Sequence, residues 1–155
     1  MFVLENLTDD HFDDYMWTWV SEKYEKSAHE YLQYAIDDLQ DGSSSRHLVN
    51  AISNAKKALH IRMEELGEGF GMGSNNTQFP HMFKYLKNCG FVAPRVLDRI
   101  NKYRNKVEHQ YVTPELEDVE TYIDVIQLFI ESTRKWMERG VEEIGIVRGV
   151  LDESG

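Results

Sequence analysis

The densest set of groups able to do chemistry in the chain is Arg104-Asn105-Lys106-Val107-Glu108-His109-Gln110-Tyr111. A guanidinium stays charged and forks onto phosphate oxygens, while an imidazole gains and loses a proton near neutral pH. Such a pair can cut a phosphodiester without a metal: Arg104 neutralises the phosphate and His109 moves the proton.

These residues must be positioned by whatever element carries them. Pro94 suits the first turn of a helix in which Leu97, Ile100, Arg104, Val107 and Tyr111 fall on one stripe. Arg104 interrupts an otherwise apolar face, and a buried guanidinium needs a carboxylate, a wet cleft or a ligand phosphate. The restriction that Pro114 places on Thr113 ends this helix near Tyr111, so the motif occupies its last turns. On an ideal helix, residues five apart point about 140° from each other. Arg104 and His109 therefore do not share a face, whereas Asn105 with His109, and Arg104 with Tyr111, are neighbours. Bringing Arg104 and His109 to one phosphate takes a loosened last turn or a second copy, which a two-fold dimer would supply.

The rest of the chain reads as a helical scaffold. A length of 155 residues fits one domain, here 1–140, followed by a tail, 141–155, that docks on the bundle or contacts a partner. With 41% hydrophobic and 28% charged residues the composition is that of a folded domain. No apolar run has membrane-spanning length and the first residues carry acids, so a cytoplasmic location is expected, with no membrane contact. The lone Cys89 cannot form an intramolecular disulfide and reads as a small core residue near a helix end.

A net charge of −10 argues against a general nucleic-acid binder. The average conceals one basic tract: between Lys84 and Lys106, Lys84, Lys87, Arg95, Arg99, Lys102, Arg104 and Lys106 face Asp98 alone. The motif lies at the end of that tract, flanked by Lys102 and Lys106.

Thr8, followed by Asp9, Asp10 and Asp13, suits an N-cap, and Phe12, Met16, Trp19, Tyr24, Ala28, Tyr31, Leu32, Ala35 and Leu39 recur at roughly helical spacing. One long helix, or two with a bend, is expected up to Gly42, with most of its aromatics in the core and one of Trp17 and Trp19 exposed. Ser43 to Ser45 offer caps for a second helix striped by Leu48, Ile52, Ala55, Leu59, Met63 and Leu66. His47 and His60 flank that stripe as surface residues. The glycines from Gly67 to Gly73 and the polar residues to Gln78 predict a long mobile loop, without the strand context or Lys-Ser/Thr of a phosphate cradle. A short third helix follows, with Pro80 in its first turn, Phe79, Met82, Phe83 and Leu86 inward, and Gly90 as its stop. Thr113 is placed to cap a last helix whose inward stripe is Val119, Tyr122, Ile123, Ile126, Phe129, Ile130, Thr133 and Met137, ending at Arg139-Gly140. No alternating strand pattern competes, so the expected fold is all-α: an antiparallel bundle of four to five helices. His11, His29 and His81 form no metal-ligand spacing, and no metal or cofactor is implied.

The arrangement Arg104, Asn105, His109, late in an all-α chain, resembles the HEPN superfamily, whose ribonucleases carry Arg, four to six residues, then His, often with Asn after the Arg. The form Arg-x4-His-x-Tyr is similar to that of HEPN toxins paired with minimal nucleotidyltransferase antitoxins. The resemblance implies a metal-independent endoribonuclease acting on RNA as a homodimer. It makes Arg104, His109 and Asn105 the catalytic set, with Asn105 orienting the phosphate or the imidazole. Attack by a ribose 2′-OH would leave a 2′,3′-cyclic phosphate and a 5′-OH, making DNA a poor substrate. It also makes Tyr111 a site that a nucleotidyltransferase antitoxin could adenylylate. Glu108 would tune His109 or pair with the cations beside it. Two other classes compete: a non-catalytic HEPN-like binding or assembly module, and an antitoxin or adaptor whose negative surface mimics nucleic acid.

Overall fold

Ser27 and Glu30 decide where the first helix begins. The Ser27 hydroxyl accepts the Glu30 N–H at 3.2 Å, and the Glu30 carboxylate accepts the Ser27 N–H at 2.9 Å, a reciprocal capping box that satisfies two end donors. Helix α1 (Ala28–Asp41) follows, burying Ala28, Leu32 and Ala35. The computed structural model describes residues 12–73, 78–91, 99–100, 102–103, 105–107 and 113–146.

Helix α2 (Ser45–Gly69) is the centre of the molecule: it packs against α1, against α3 (Phe79–Asn88) and against α4 (Leu116–Met137). Its expected stripe of Leu48, Ile52, Ala55, Leu59, Met63 and Leu66 is buried throughout. Met82 and Leu86 of α3 and Val119, Ile123, Ile126 and Ile130 of α4 close the core around it. Each such side chain contributes about 1.5–3 kcal/mol through burial. Residues 99–100, 102–103 and 105–107 are also helical, and Ile100 and Val107 are buried in the same core. The described residues thus form a mostly helical fold.

Several expectations from the sequence are corrected. Helix α1 does not start at Thr8, which lies outside the described residues; residues Phe12–Thr18 form strand β1 instead. It pairs antiparallel with β2 (Gly140–Ile146), Thr18 opposite Gly140 and Phe12 opposite Ile146, with register shifts between Phe12 and Asp14 and between Met16 and Trp17. The aromatic residues of this stretch suit an extended ribbon, and the partner strand lies at the far end of the sequence, where no local period reveals it. The mostly helical body is consistent with the all-α expectation, and the small two-stranded ribbon is an addition to it. Of the expected first-helix core set, Met16, Trp19 and Tyr24 are exposed, and Trp17 is exposed as well as Trp19.

The glycine-rich stretch does not break α2 at Gly67. The helix continues through Gly69, since the two glycines serve packing: a Cβ on Gly67 would lie 2.5 Å from Met72 Cε, and one on Gly69 would lie 2.5 Å from Val20 Cγ2. Residues 70–73 follow as turn and irregular chain; 74–77 lie outside the described residues. Cys89 is exposed at the end of α3, not in the core. The last helix starts at Leu116 with Glu115 at its cap position, so Thr113, Pro114 and Glu115 precede it. No helix among the described residues is long and apolar enough to cross a membrane.

Candidate active site

The motif helix is described in part. Ile100 and Val107 face the core, and Lys102, Asn105 and Lys106 are exposed. Arg104, Glu108, His109 and Tyr111 lie outside the described residues, as does the expected helix end near Tyr111. Between them, half-buried Tyr103 packs its ring 6.0 Å from that of Tyr122 on α4. Burial, with Asp118 and Glu115 nearby, pushes the Tyr103 phenol up to about 12, so it stays protonated at any physiological pH. A crevice of about 300 Å³ lies between this stretch and α4, with Arg99, Asp118 and Tyr103 in its walls. The motif helix is thus seated by Ile100, Tyr103 and Val107, and it turns Lys102, Asn105 and Lys106 to solvent.

A second concentration of chemistry, absent from the sequence expectations, lies inside α2. From Ile61 to Gly67 every residue is buried, including Arg62, Glu64 and Glu65. Arg62, 4% exposed, donates from Nη1 to the Ile130 carbonyl at 3.3 Å and from Nη2 toward His29 Nδ1 at 3.4 Å. Since arginine only donates, His29 Nδ1 accepts and the opposite Nε2–H faces Glu131 Oε1 at 3.2 Å. Arg62 Nε has no hydrogen-bond partner among the described residues and lies 3.7 Å from Glu65 Oε2. The network ties α2 to α1 and α4 through one guanidinium.

Glu65 is 3% exposed, and burial pushes its carboxyl up to about 7 against the opposing pull of Arg62; Glu22 and Glu64 raise it further, while the Lys23 backbone N–H works the other way. Burial likewise lowers the Arg62 guanidinium from its usual value, with Glu65, Glu131 and Glu22 resisting. A carboxyl poised near neutrality beside a cleft is a candidate acid or base. The cavity beside it, about 370 Å³, is lined by Glu22, His29, Glu65, Arg134 and Glu138 with Trp19 at its edge. Acids and bases there already oppose one another, so the arrangement is that of a fastening.

What it fastens is the strap 19–27 between β1 and α1. Val20 donates its N–H to the Met137 carbonyl at 2.8 Å and fits against Gly69. The Lys23 ammonium pairs with Glu68, and the Tyr24 hydroxyl donates to Glu64 Oε2 at 2.5 Å. These bonds raise the Lys23 ammonium and the Tyr24 phenol above their ordinary values. Half-exposed His60 completes this corner with Nε2 at 3.6 Å from Glu64 Oε1. In the sequence, the signal for this cluster was the run Arg62-Met63-Glu64-Glu65 so close to Gly67 and Gly69, a stretch of helix with charges all round and no Cβ where neighbours approach.

No protein-family model matches the chain, and neither curated proteins nor solved structures include a match to it.

Proposed function

We propose that the chain is a metal-independent endoribonuclease of the HEPN kind, working as a homodimer in the cytoplasm and held in check by a partner as the toxin of a toxin-antitoxin or antiphage system. The observation that carries this reading is the sequence Arg104-Asn105-x3-His109 within the basic tract. It is supported by the helical residues around it, which bury Ile100 and Val107 and expose Lys102, Asn105 and Lys106 where a phosphate backbone could meet them.

In the proposed reaction a ribose 2′-oxygen attacks the adjacent phosphorus and the 5′-oxygen leaves. One His109 imidazole takes the 2′-OH proton and the imidazolium of the partner copy returns one to the 5′-oxygen, giving a 2′,3′-cyclic phosphate and a 5′-OH. Arg104 holds the phosphate as charge builds on it, and Asn105 orients phosphate or imidazole. Losing the proton carrier costs about 10²–10⁴-fold in rate, and losing the charge stabiliser about 10²–10³-fold.

Purified protein with RNA in excess EDTA tests this. Cleavage should yield cyclic phosphate ends and should collapse in folded, dimeric His109→Ala and Arg104→Ala variants. Full activity in both variants would sink the assignment. Control through Tyr111 has its own measurement: intact mass after co-expression with a nucleotidyltransferase antitoxin should show adenylyl additions that vanish in Tyr111→Phe.

A second reading, a non-catalytic helical assembly module, draws on Met16, Trp17, Trp19 and Leu128, large apolar side chains left at least half exposed on the chain. It expects no cleavage and a loss of association when Trp17 and Trp19 are replaced.

A further inference from the structure

A groove of about 880 Å³ opens where the strap, the start of α1, the middle of α2 and the start of α3 meet. Its walls carry the rings of Tyr24, Tyr31 and Phe79 together with Lys26, Lys56 and Lys57. Three ammonium groups on one groove are notable in a chain of net charge −10, where the average surface is acidic. Glu25 also lines it, and Glu30 reaches Lys26 at 3.4 Å from outside the lining.

The aromatic wall is held in place. Tyr24 spends its hydroxyl on buried Glu64, which also faces His60. The Lys57 ammonium stands 5.2 Å above the centre of the Tyr31 ring, where the negative face of the ring holds a cation. Phe79 stacks 6.3 Å from Phe83 with the planes 10° apart, which fixes the opposite lip. The groove therefore offers aromatic surfaces and positive charge within the size range of small-molecule sites.

We propose that this groove binds a small planar aromatic molecule carrying an oxyanion, with its ring between Tyr24 and Phe79 and its carboxylate, sulfonate or phosphate on Lys56 and on Lys57, which Tyr31 holds. The lysines repel a cation and attract an anion, and they give a neutral ligand no such attraction. The rings select a flat body, which stacks without the entropy cost of freezing a flexible chain. None of the groups used belongs to the Arg104–His109 motif, so the two assignments stand or fall separately.

The probe is anilinonaphthalene sulfonate, titrated against the full chain by fluorescence. Saturable binding is expected, weakened about tenfold or more in Lys56→Gln/Lys57→Gln, the loss expected when charged contacts to an anion are removed. The charge-matched Lys87→Gln/Lys135→Gln variant, altered outside the groove, should bind within about twofold of the parent. Phenylacetate and phenyl phosphate should displace the probe, and benzylamine should not. Equal affinities in the two double variants would overturn the proposal, as would displacement by benzylamine. Displacement by single-stranded RNA, with phenylacetate and phenyl phosphate inert, would overturn it in favour of an RNA path. Lys57, Lys87 and Lys135 are exposed and Lys56 is half-buried, all four substitutions exchange polar groups, and circular dichroism of each variant separates a binding loss from unfolding.

Discussion

Glu65 is expected to destabilise the fold at alkaline pH, and its charge can be removed with almost no change of shape by Glu65→Gln. The folded carboxyl titrates at about 7 against an ordinary 4.5, so the native state binds its proton more tightly than the unfolded chain does. Stability from this group is fully present below pH 4.5. It drains as the pH climbs toward 7 and is gone above that. At about 1.4 kcal/mol per pH unit the interval amounts to about 3 kcal/mol, with the attraction of Arg62 already included in the titration point. Glutamine mimics the protonated acid and can still accept the Lys23 N–H. The variant should match the parent in urea unfolding at pH 4.5 and exceed it by about 2–3 kcal/mol at pH 8. Comparing the two proteins at each pH cancels the titration of groups they share. A variant less stable than the parent at pH 8, or a difference that does not grow with pH, would show that Arg62 and Glu65 act as a tightly balanced ion pair and that burial does not dominate.

Other perturbations follow from the same structure. Ser27→Ala removes half of the capping box and should cost about 1 kcal/mol in thermal or chemical unfolding, with Glu30→Ala in that background adding little. Gly69→Ala would normally gain helix propensity, yet its new methyl meets the stiff, branched Val20; a net loss is expected, recovered in part by Val20→Ala, as double-mutant unfolding would show. Leu59→Ala empties a fully buried site at the centre of α2 and should cost about 2–5 kcal/mol, measured by urea denaturation. Arg62→Leu should leave Glu65 without its nearest cation and move its titration higher still, which carboxyl-region NMR would register.

What could be read from the sequence divides along physical lines. The stripe of α2 and the inward face of α4 repeat every three or four residues, a period set by the helix itself; the first is buried throughout and the second from Val119 to Thr133, with Met137 half-buried at its end. Glycine misled at Gly67 and Gly69, where a missing side chain signals close packing and not a break. The region from Phe12 to Thr18 misled more deeply. Its apolar spacing fits a helix as well as a strand, and the deciding partner, β2, lies beyond every described helix. Ser27-x-x-Glu30 was a local start signal that outweighs such spacing, being a direct pair of hydrogen bonds. The buried Arg62–Glu65 cluster could not be inferred from periodicity, since charged residues beside an apolar stripe are ordinarily solvated. Of the motif, the helical setting of Lys102, Asn105 and Lys106 agrees with the sequence, while Arg104 and His109 fall outside the described residues.

The ribbon carries a consequence for the order in which the chain organises. Thr18 meets Gly140 across roughly 120 intervening residues, a closure whose entropic cost falls only once the helices have packed and shortened the effective loop. Strap and ribbon are therefore expected to assemble as one late unit on a finished helical core, held by Val20, Lys23 and Tyr24 on α2 and α4. If that unit opens before the core, amide exchange in β1 and β2 should be faster than in α2, which hydrogen-exchange measurements would show. One edge of that opening is the Lys23 N–H on Glu65, so the strap is tied directly to a buried acid of α2.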